Sequence, residues 1–562
     1  MTNKDIIKTF RLLTSLMELH GANQFKTRAY SSAIQSMENA GTPLIDLDND
    51  GLIEKGLSKT MSEKLTTWFQ TGTLADLEEL EEKTPAGVID MMGLSGVGPK
   101  KIAALWKELD IDSLDKLQTA CEENKVQSLK GFAAKTEAKI LQQVLFLKEN
   151  KKRLHYSKAE VYAKDFLKIM DDRGIKTVMS GELSLNREVI DTLSFTALCE
   201  STAAVKGIIE EYSAIEIDPK TSSPLTVRGY LTDTKSEVVV FVASEKEFTK
   251  LAFQKSCAPE HLSLKGADHP SIREVLNKEE ITSEEDIYQK AGLPFFPPEL
   301  REGEEYVGSF ATKGIPTLVE DQDLKGSLHN HSDYSDGQNT LREMATYLKD
   351  QGYEYLGISD HSKTAFYANG LSVERIEQQH KEIDELNKEL APFKIFKGIE
   401  SDILNDGSLD YDEDVLASFD FIVASIHSPL TMTKEVATAR LIKAIEHPAT
   451  TILGHPTGRL LLRREGYPID HKAVIDACAK HGVVIEINSS PWRLDLDWRW
   501  AKYALDQGVK LSLNPDAHAV EGYADMHYGL LVGRKAGLTK EMTLNAMSLA
   551  EIEDYFTSRK KK

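Results

Sequence analysis

Six histidines and three carboxylates in the last part of the sequence sit at spacings that suit metal binding. His329 and His331 form an H-x-H, and Asp336 follows in YSDG. His361 closes SDH, Glu400 lies in KGIES, His427 in ASIH and His455 in GHPTGR. Asp516 and His518 form a D-x-H. Alternate residues of a strand share a face, so both imidazoles of an H-x-H reach one ion. Imidazole and carboxylate without thiolate suit zinc, manganese or iron. These nine ligands are too many for one ion and suffice for two or three if a carboxylate bridges. Ions about 3.5 to 4 Å apart can share a hydroxide and clamp both oxygens of an in-line phosphoryl displacement. The chemistry expected is phosphoester hydrolysis.

A lone histidine at a strand end is more often structural. With 15 histidines in the chain, some would fall there by chance. The weight lies in the series. Seven β-like runs carry or precede these residues: GSLHNH, YLGIS, KIFKGIE, FDFIVASIH, TTILGH, GVVIEIN and VKLSLN. They are nearly continuous in apolar residues, as strands buried on both faces should be. Helical patterns separate them, which predicts a parallel sheet closed or nearly closed into a barrel. The strand C-termini of such a barrel open on one face, where the nine side chains would gather. His380, His447, His471, His481 and His527 fall off the pattern and read as surface or packing residues.

The 562 residues are too many for one core and imply about three or four domains. The composition, 41% hydrophobic and 28% charged, is that of a globular protein. No apolar run approaches the roughly 18 residues of a membrane span, and the start lacks a signal peptide's apolar core. Cys121, Cys199, Cys257 and Cys478 form no C-x-x-C. A reducing cytoplasm is expected, with no disulfide framework or zinc knuckle. A net charge of -21 excludes a protein held to nucleic acid by a general basic surface. The terminal run Lys560 to Lys562 reads as a solvated tail.

Residues 1–150 read as short helices broken by glycine turns, and Lys151, Lys152 and Arg153 as a charged hinge. Within LSGVGPKKIAALWKEL, Gly96 and Gly98 allow a tight turn with outward amides, and Lys100 and Lys101 add charge at the next helix start. This helix-hairpin-helix pattern grips a phosphate backbone without reading bases. Gly56-Leu57-Ser58 and Gly131-Phe132-Ala133 are weaker versions that lack the second glycine. Residues 155–292 mix helices with β-rich runs such as SEVVVFVA. A proline-rich linker is expected at 293–320, because LPFFPPELREGEE opposes regular helix. The barrel would occupy 321–562.

The stretches SLHNHSDYSDG, GISDHS, KGIESDIL, VASIHS, ILGHPTGRLL, VIEINSSPWRLDL and NPDAH closely resemble the PHP (polymerase and histidinol phosphatase) domain, a distorted seven-stranded barrel. That resemblance covers residues 324–556. It implies that His329, His331, Glu400 and Asp516 hold one ion. Glu400 would bridge to a second, completed by His427 and His455, and Asp336, His361 and His518 would hold a third. Arg459 and Arg493 are candidate phosphate clamps. GANQFKTRAYSSAI and the hairpins after it resemble the DNA-gap-binding domain of family X DNA polymerases. By that likeness Lys26 and Arg28 contact a 5' phosphate. The whole chain resembles a bacterial family X polymerase with a C-terminal PHP nuclease: a helical domain, a nucleotidyltransferase-like α+β palm and thumb, and a β/α barrel.

The palm departs from that family. A nucleotidyl transferase places a D-x-D pair on one strand and a third acid on its neighbour to hold two magnesium ions. In SGELSLNREVIDTLSFTAL, anchoring on Gly181 and Glu188 puts Thr192 and Ser194 in the aspartate positions. Glu182 replaces a serine, and the third acid falls near Val238, with Glu237 beside it. A shift of one residue recovers Asp191 but sets Leu193 in the second position. Neutral hydroxyls leave the cation charge uncompensated, so templated synthesis is expected to be lost.

The leading expectation is a metal-dependent 3'-5' exonuclease for DNA repair, guided to gapped, nicked or single-stranded 3' ends. Cleavage at abasic sites or of 3' phosphates would be the same chemistry. One alternative is a phosphomonoesterase of a metabolite such as histidinol phosphate, which would need neither hairpins nor palm. The other is a non-catalytic DNA-binding scaffold, which would not need nine intact ligands. The acidic surface and modular layout fit a monomer.

Overall fold

A computed structural model describes residues 3–560 except Asn39, Gly41 and Ser95. Lys561 and Lys562 of the terminal run lie outside the described residues. The chain divides into two compact units after Lys151. Among the described residues, no helix is long and apolar enough to cross a membrane, and the four cysteines are free.

The first unit is helical, from Asn3–Leu19 to Ala134–Asn150. One core gathers Phe10, Tyr30, Leu65 and Trp68; a second gathers Leu16, Val88, Ile102, Leu117 and Ile140. The helix Pro99–Leu109 begins with Gly98 as its N-cap and proline in its first turn. Proline's fixed φ suits that position, where an amide would be unpaired anyway.

The second unit begins with a short antiparallel pair, β1 (Leu154–His155) and β3 (Val189–Ile190). A five-stranded sheet follows, built of β2 (Thr177–Ser180), β4 (Thr192–Leu198), β5 (Ile215–Ile217), β6 (Thr226–Leu231) and β7 (Glu237–Ala243) in the order β2-β4-β7-β6-β5. β4 and β7 run parallel, and Thr192 stands opposite Glu237. Leu193, Phe195, Val238 and Val240 face a core with Phe166 and Met170.

The barrel comprises β8 (Gly326–Ser327), β9 (Tyr355–Ile358), β10 (Lys394–Asp402), β11 (Phe421–Ser425), β12 (Ile452–Leu453), β13 (Val484–Asn488) and β14 (Leu511–Asn514). All neighbours are parallel and in chain order. Just past β8 and β14, Asn330 and Ala517 bridge, and the His331 amide donates to the Ala517 carbonyl at 2.8 Å. That contact nearly closes the ring at its functional end. Asn545 fills the gap below, accepting from the Leu513 amide and donating to the Gly326 carbonyl. Phe421 packs in the barrel over Gly357 and Gly398, where a Cβ would come within 2.7 and 2.3 Å of its ring. Only glycine allows that ring its place.

The expected linker is instead packed. Phe296, Leu300 and Arg301 are buried. The Arg301 guanidinium lies 4.7 Å over Phe253 and pairs with Glu284 at 2.5 Å. The proline cluster ends at Pro298, and the helix Glu304–Lys313 forms between it and Pro316. The palm-like sheet and barrel share a seam through Lys535, which donates to the Leu185 carbonyl at 2.6 Å and pairs with Glu302 at 2.7 Å.

Candidate metal centre

All nine side chains gather at the C-terminal mouth of the barrel, and the parallel strand order is the reason. Glu400, near the end of β10, is the hub. His455 Nε2 lies 3.0 Å from its Oε1 and His427 Nε2 3.2 Å from the same oxygen. His361 Nδ1 lies 2.9 Å from Oε2, and His329 Nε2 3.3 Å from Oε1. Asp516 Oδ1 stands 3.0 Å from His331 Nε2 and 3.6 Å from His329 Nε2. Asp336 Oδ1 stands 3.3 Å from His518 Nε2 and 3.6 Å from His361 Nε2.

Three groups have ligand atoms within 4.8 Å of one another: His329, His331 and Asp516; His331, Asp336, His361 and His518; and His361, Glu400 and His427. The family-derived partition overlaps these groups. It differs in that His331 and His361 each stand between two of them.

The fit to metal rests on buried atoms without hydrogen bonds. His329 Nε2, His361 Nδ1 and Glu400 Oε2 are such atoms. Unpaired buried polar groups are costly and rare. Here lone pairs of imidazole and carboxylate face one another without hydrogen-bond geometry, an arrangement a shared cation would satisfy. Backbone strain adds to this, since His455 (φ +22°) and Asp516 (φ +54°) are held at positive φ.

The electrostatics keep Glu400 anionic. Burial alone would favour a neutral Glu400, but the facing His427, His329 and His361 outweigh it and hold the carboxyl well below its ordinary range. Burial likewise opposes charge on Asp336, yet His518, His331 and His361 bring it down to about 2. Burial and the neighbouring His361 and His518 push His331 down to about 3. The ring is therefore neutral, and one of its nitrogens offers a lone pair.

Three supporting acids escape a reading centred on strand-end histidines. Glu486, midway along β13, accepts from His329 Nδ1 at 2.7 Å and from the His455 amide at 3.1 Å. The signal for it was one acid inside the otherwise apolar run GVVIEIN. Asp402 accepts from His427 Nδ1 at 2.5 Å and lies two residues beyond Glu400, on the same strand face. Asp360 instead holds the loop of Asp336, through Ser332, Ser335 and Gln379. Such partners fix ligand tautomer and orientation.

The two arginines separate. Arg459 donates to the Arg493 and Leu494 carbonyls and to Asp497, and lies 3.7 Å from Glu188. Its guanidinium is fully engaged, so the expected phosphate clamp is corrected to a brace of the loop after β13. Arg493 Nε stands 3.8 Å from Asp516 Oδ2, at the edge of the ligand set. The remaining histidines lie elsewhere: His447 pairs with Glu413, His471 stacks on Trp500 and His527 pairs with Asp321.

In the first unit Gly96 takes φ +77°, and a Cβ at Gly96 or Gly98 would meet nothing within 4 Å. The backbone at these two glycines therefore borders open space. Lys100 is exposed, and Lys101 lies 5.6 Å over Phe132 of the neighbouring glycine turn. Lys26 and Arg28 are exposed on the helix Gln24–Glu38, with Lys26 4.0 Å from Asp76.

In the palm-like sheet Thr192 donates to Glu237 at 3.1 Å, and Arg228 pairs with the same carboxylate at 2.6 Å. Val238 pairs with Leu193 and faces the core, so the residue across from Thr192 on its own face is Glu237. Asp191 pairs with Arg153.

Family models match at residues 327–490 (PHP domain), 1–74 (helix-hairpin-helix domain) and 88–144 (SAM-like helix-hairpin-helix tandem). The DNA polymerase/3'-5' exonuclease PolX of Bacillus subtilis (strain 168) is 35% identical over 572 residues, covering 99% of each chain. A probable phosphatase of Thermoanaerobacter sp. (strain X514) is 30% identical over 187 residues, 32% of this chain and 74% of its own. One of Shewanella sediminis (strain HAW-EB3) is 32% identical over 160 residues, 27% of this chain and 63% of its own.

The barrel and its ligands thus define a metal-dependent phosphoesterase of the PHP class. The match along the whole length goes further, and the chain belongs to the PolX family.

Proposed function

We propose that this protein removes nucleotides from 3' ends of DNA at the barrel mouth. The observation that carries the reading is the convergence of nine ligands on Glu400 within a chain whose full length, hairpins included, matches a polymerase/exonuclease. His329, His331, Asp336, His361, Glu400, His427, His455, Asp516 and His518 would hold two or three ions of manganese, zinc or iron. Bound there, such ions supply a nucleophilic water at neutral pH and neutralise charge on the phosphate. Glu486 and Asp402 orient His329 and His427. Arg493 is placed to meet a non-bridging phosphate oxygen.

The hairpin at Gly96, Gly98, Lys100 and Lys101 would hold the DNA backbone, and Lys26 and Arg28 a 5' phosphate at a gap or nick. The protein would act as a monomer. The palm-like sheet would serve as a platform without templated synthesis, because hydroxyls stand at Thr192 and Ser194 and Arg228 occupies Glu237. The phosphatase relatives favour a phosphomonoesterase for the barrel alone, but they cover about a third of the chain and leave the hairpins unexplained.

The test is incubation of Mn²⁺-loaded protein with labelled single-stranded and gapped DNA, beside histidinol phosphate. Nucleotide release that requires the metal and vanishes in His329→Ala is expected. Turnover of the metabolite alone would establish the phosphatase, and DNA binding without turnover the scaffold.

A further inference from the structure

Two aromatic side chains stand out from the barrel mouth. Phe366 is 86% exposed and Tyr367 69%, yet Ala365, Ala368 and Leu371 around them are buried. The segment is a short 3-10 turn at Phe366–Ala368, directly after the ligand His361 in sequence.

The turn is held firmly from both sides. Thr364 donates its amide to Asp410 at 2.7 Å and its hydroxyl to Asp402 at 2.8 Å. Asp402 is the carboxylate that orients His427. Asn369 donates to the Ser335 carbonyl at 3.2 Å, beside the ligand Asp336, and Arg375 donates to the Asn369 carbonyl at 2.8 Å. The loop is thereby tied to two parts of the metal centre, and the exposure of its rings does not follow from a loose backbone.

Its position completes the picture. The Tyr367 ring lies 6.2 Å from that of His361 and 6.3 Å from that of His427. The Tyr367 ring thus stands beside two of the candidate ligands and remains largely open to solvent. Exposed aromatics on a rigid support beside a phosphate-processing centre are the form that base-stacking platforms take, since every base presents a π face whatever its sequence.

We propose that Phe366 and Tyr367 form a stacking platform for the terminal bases of the single-stranded 3' end, a reading that rests on the nuclease function proposed above. The platform explains how one site would accept any sequence. Stacking would seat the last bases so that the phosphodiester between them reaches the ligands, with Arg493 on its oxygens.

The experiment compares two single-stranded oligonucleotides on the full-length, Mn²⁺-loaded protein, one with normal 3'-terminal nucleotides and one whose last two positions are abasic. Wild type is expected to show a KM about tenfold or more lower for the base-bearing end. In Phe366→Ala with Tyr367→Ala the ratio should fall towards one, and in Phe366→Tyr with Tyr367→Phe it should persist. The proposal is overturned if wild type degrades both ends with equal KM, or if the double alanine variant keeps the wild-type ratio. If wild type releases no nucleotide from either DNA, the nuclease reading falls and takes the platform with it.

Discussion

Glu486 holds His329 by a 2.7 Å hydrogen bond between two fully buried side chains. The bond keeps a proton on Nδ1, so that Nε2, 3.3 Å from Glu400 Oε1, is the nitrogen a metal would take. Glu486→Gln keeps the shape but can present an amide donor to the ring, which favours the wrong tautomer. Metal affinity should fall about 10- to 100-fold. Titration of the metal-free protein with Mn²⁺ by calorimetry checks this, and unchanged affinity would remove Glu486 from the site.

That glutamate marks where the sequence stopped being legible. The barrel could be read because buried parallel strands are apolar throughout, and the side chains gathered at its mouth because they interrupt that pattern at the strand ends. Glu486 supports a ligand from within an apolar strand, where a single acid has no spacing partner, and Asp402 forms an E-x-D with Glu400 whose spacing does not say that it turns to His427. Arg459 looked like a clamp because it follows His455 closely, but only the fold reveals Asp497 and Glu188 waiting for it. Residues 293–320 looked like a linker because prolines stop helices. Prolines do not oppose burial, and Phe296 and Arg301 pack in the core of the second unit.

Lys100 and Lys101 flank an open turn whose Gly96 lies at φ +77°. If they meet two phosphates, Lys100→Glu with Lys101→Glu should weaken binding of all DNA sequences alike. The slope of log affinity against log salt should also fall by about two. Fluorescence anisotropy over a salt series measures both. A loss confined to particular sequences would contradict a backbone grip.

Glu302 lies between Lys535 of the barrel at 2.7 Å and Arg187 of the palm-like region at 2.8 Å. Burial would raise its pKa, but Lys535 and Arg187 outweigh that and hold it below the ordinary 4.5. A carboxylate with a depressed folded pKa contributes stability that is fully present above its unfolded pKa and lost as pH falls through the folded one. Glu302→Gln leaves Lys535 buried without its counter-charge and should cost about 3 kcal/mol at pH 7. Urea melts of the two proteins should converge as the pH falls below 4.5. A gap that stays constant into acid would show that the carboxylate's charge contributes nothing at this seam.

Thr192 and Ser194 share one face of β4, and the acid opposite Thr192, Glu237, is paired with Arg228 at 2.6 Å. A two-magnesium centre needs three free carboxylates there. Asp191, the nearest acid in sequence, turns to Arg153. Primer extension on a gapped template with Mg²⁺ or Mn²⁺ should therefore stay at background for the purified protein, with exonuclease trimming suppressed by His329→Ala. Asp191→Ala should change nothing in that assay. Robust extension that disappears in Asp191→Ala would show that Asp191 leaves Arg153 to bind metal, and the sheet would then be a working polymerase palm.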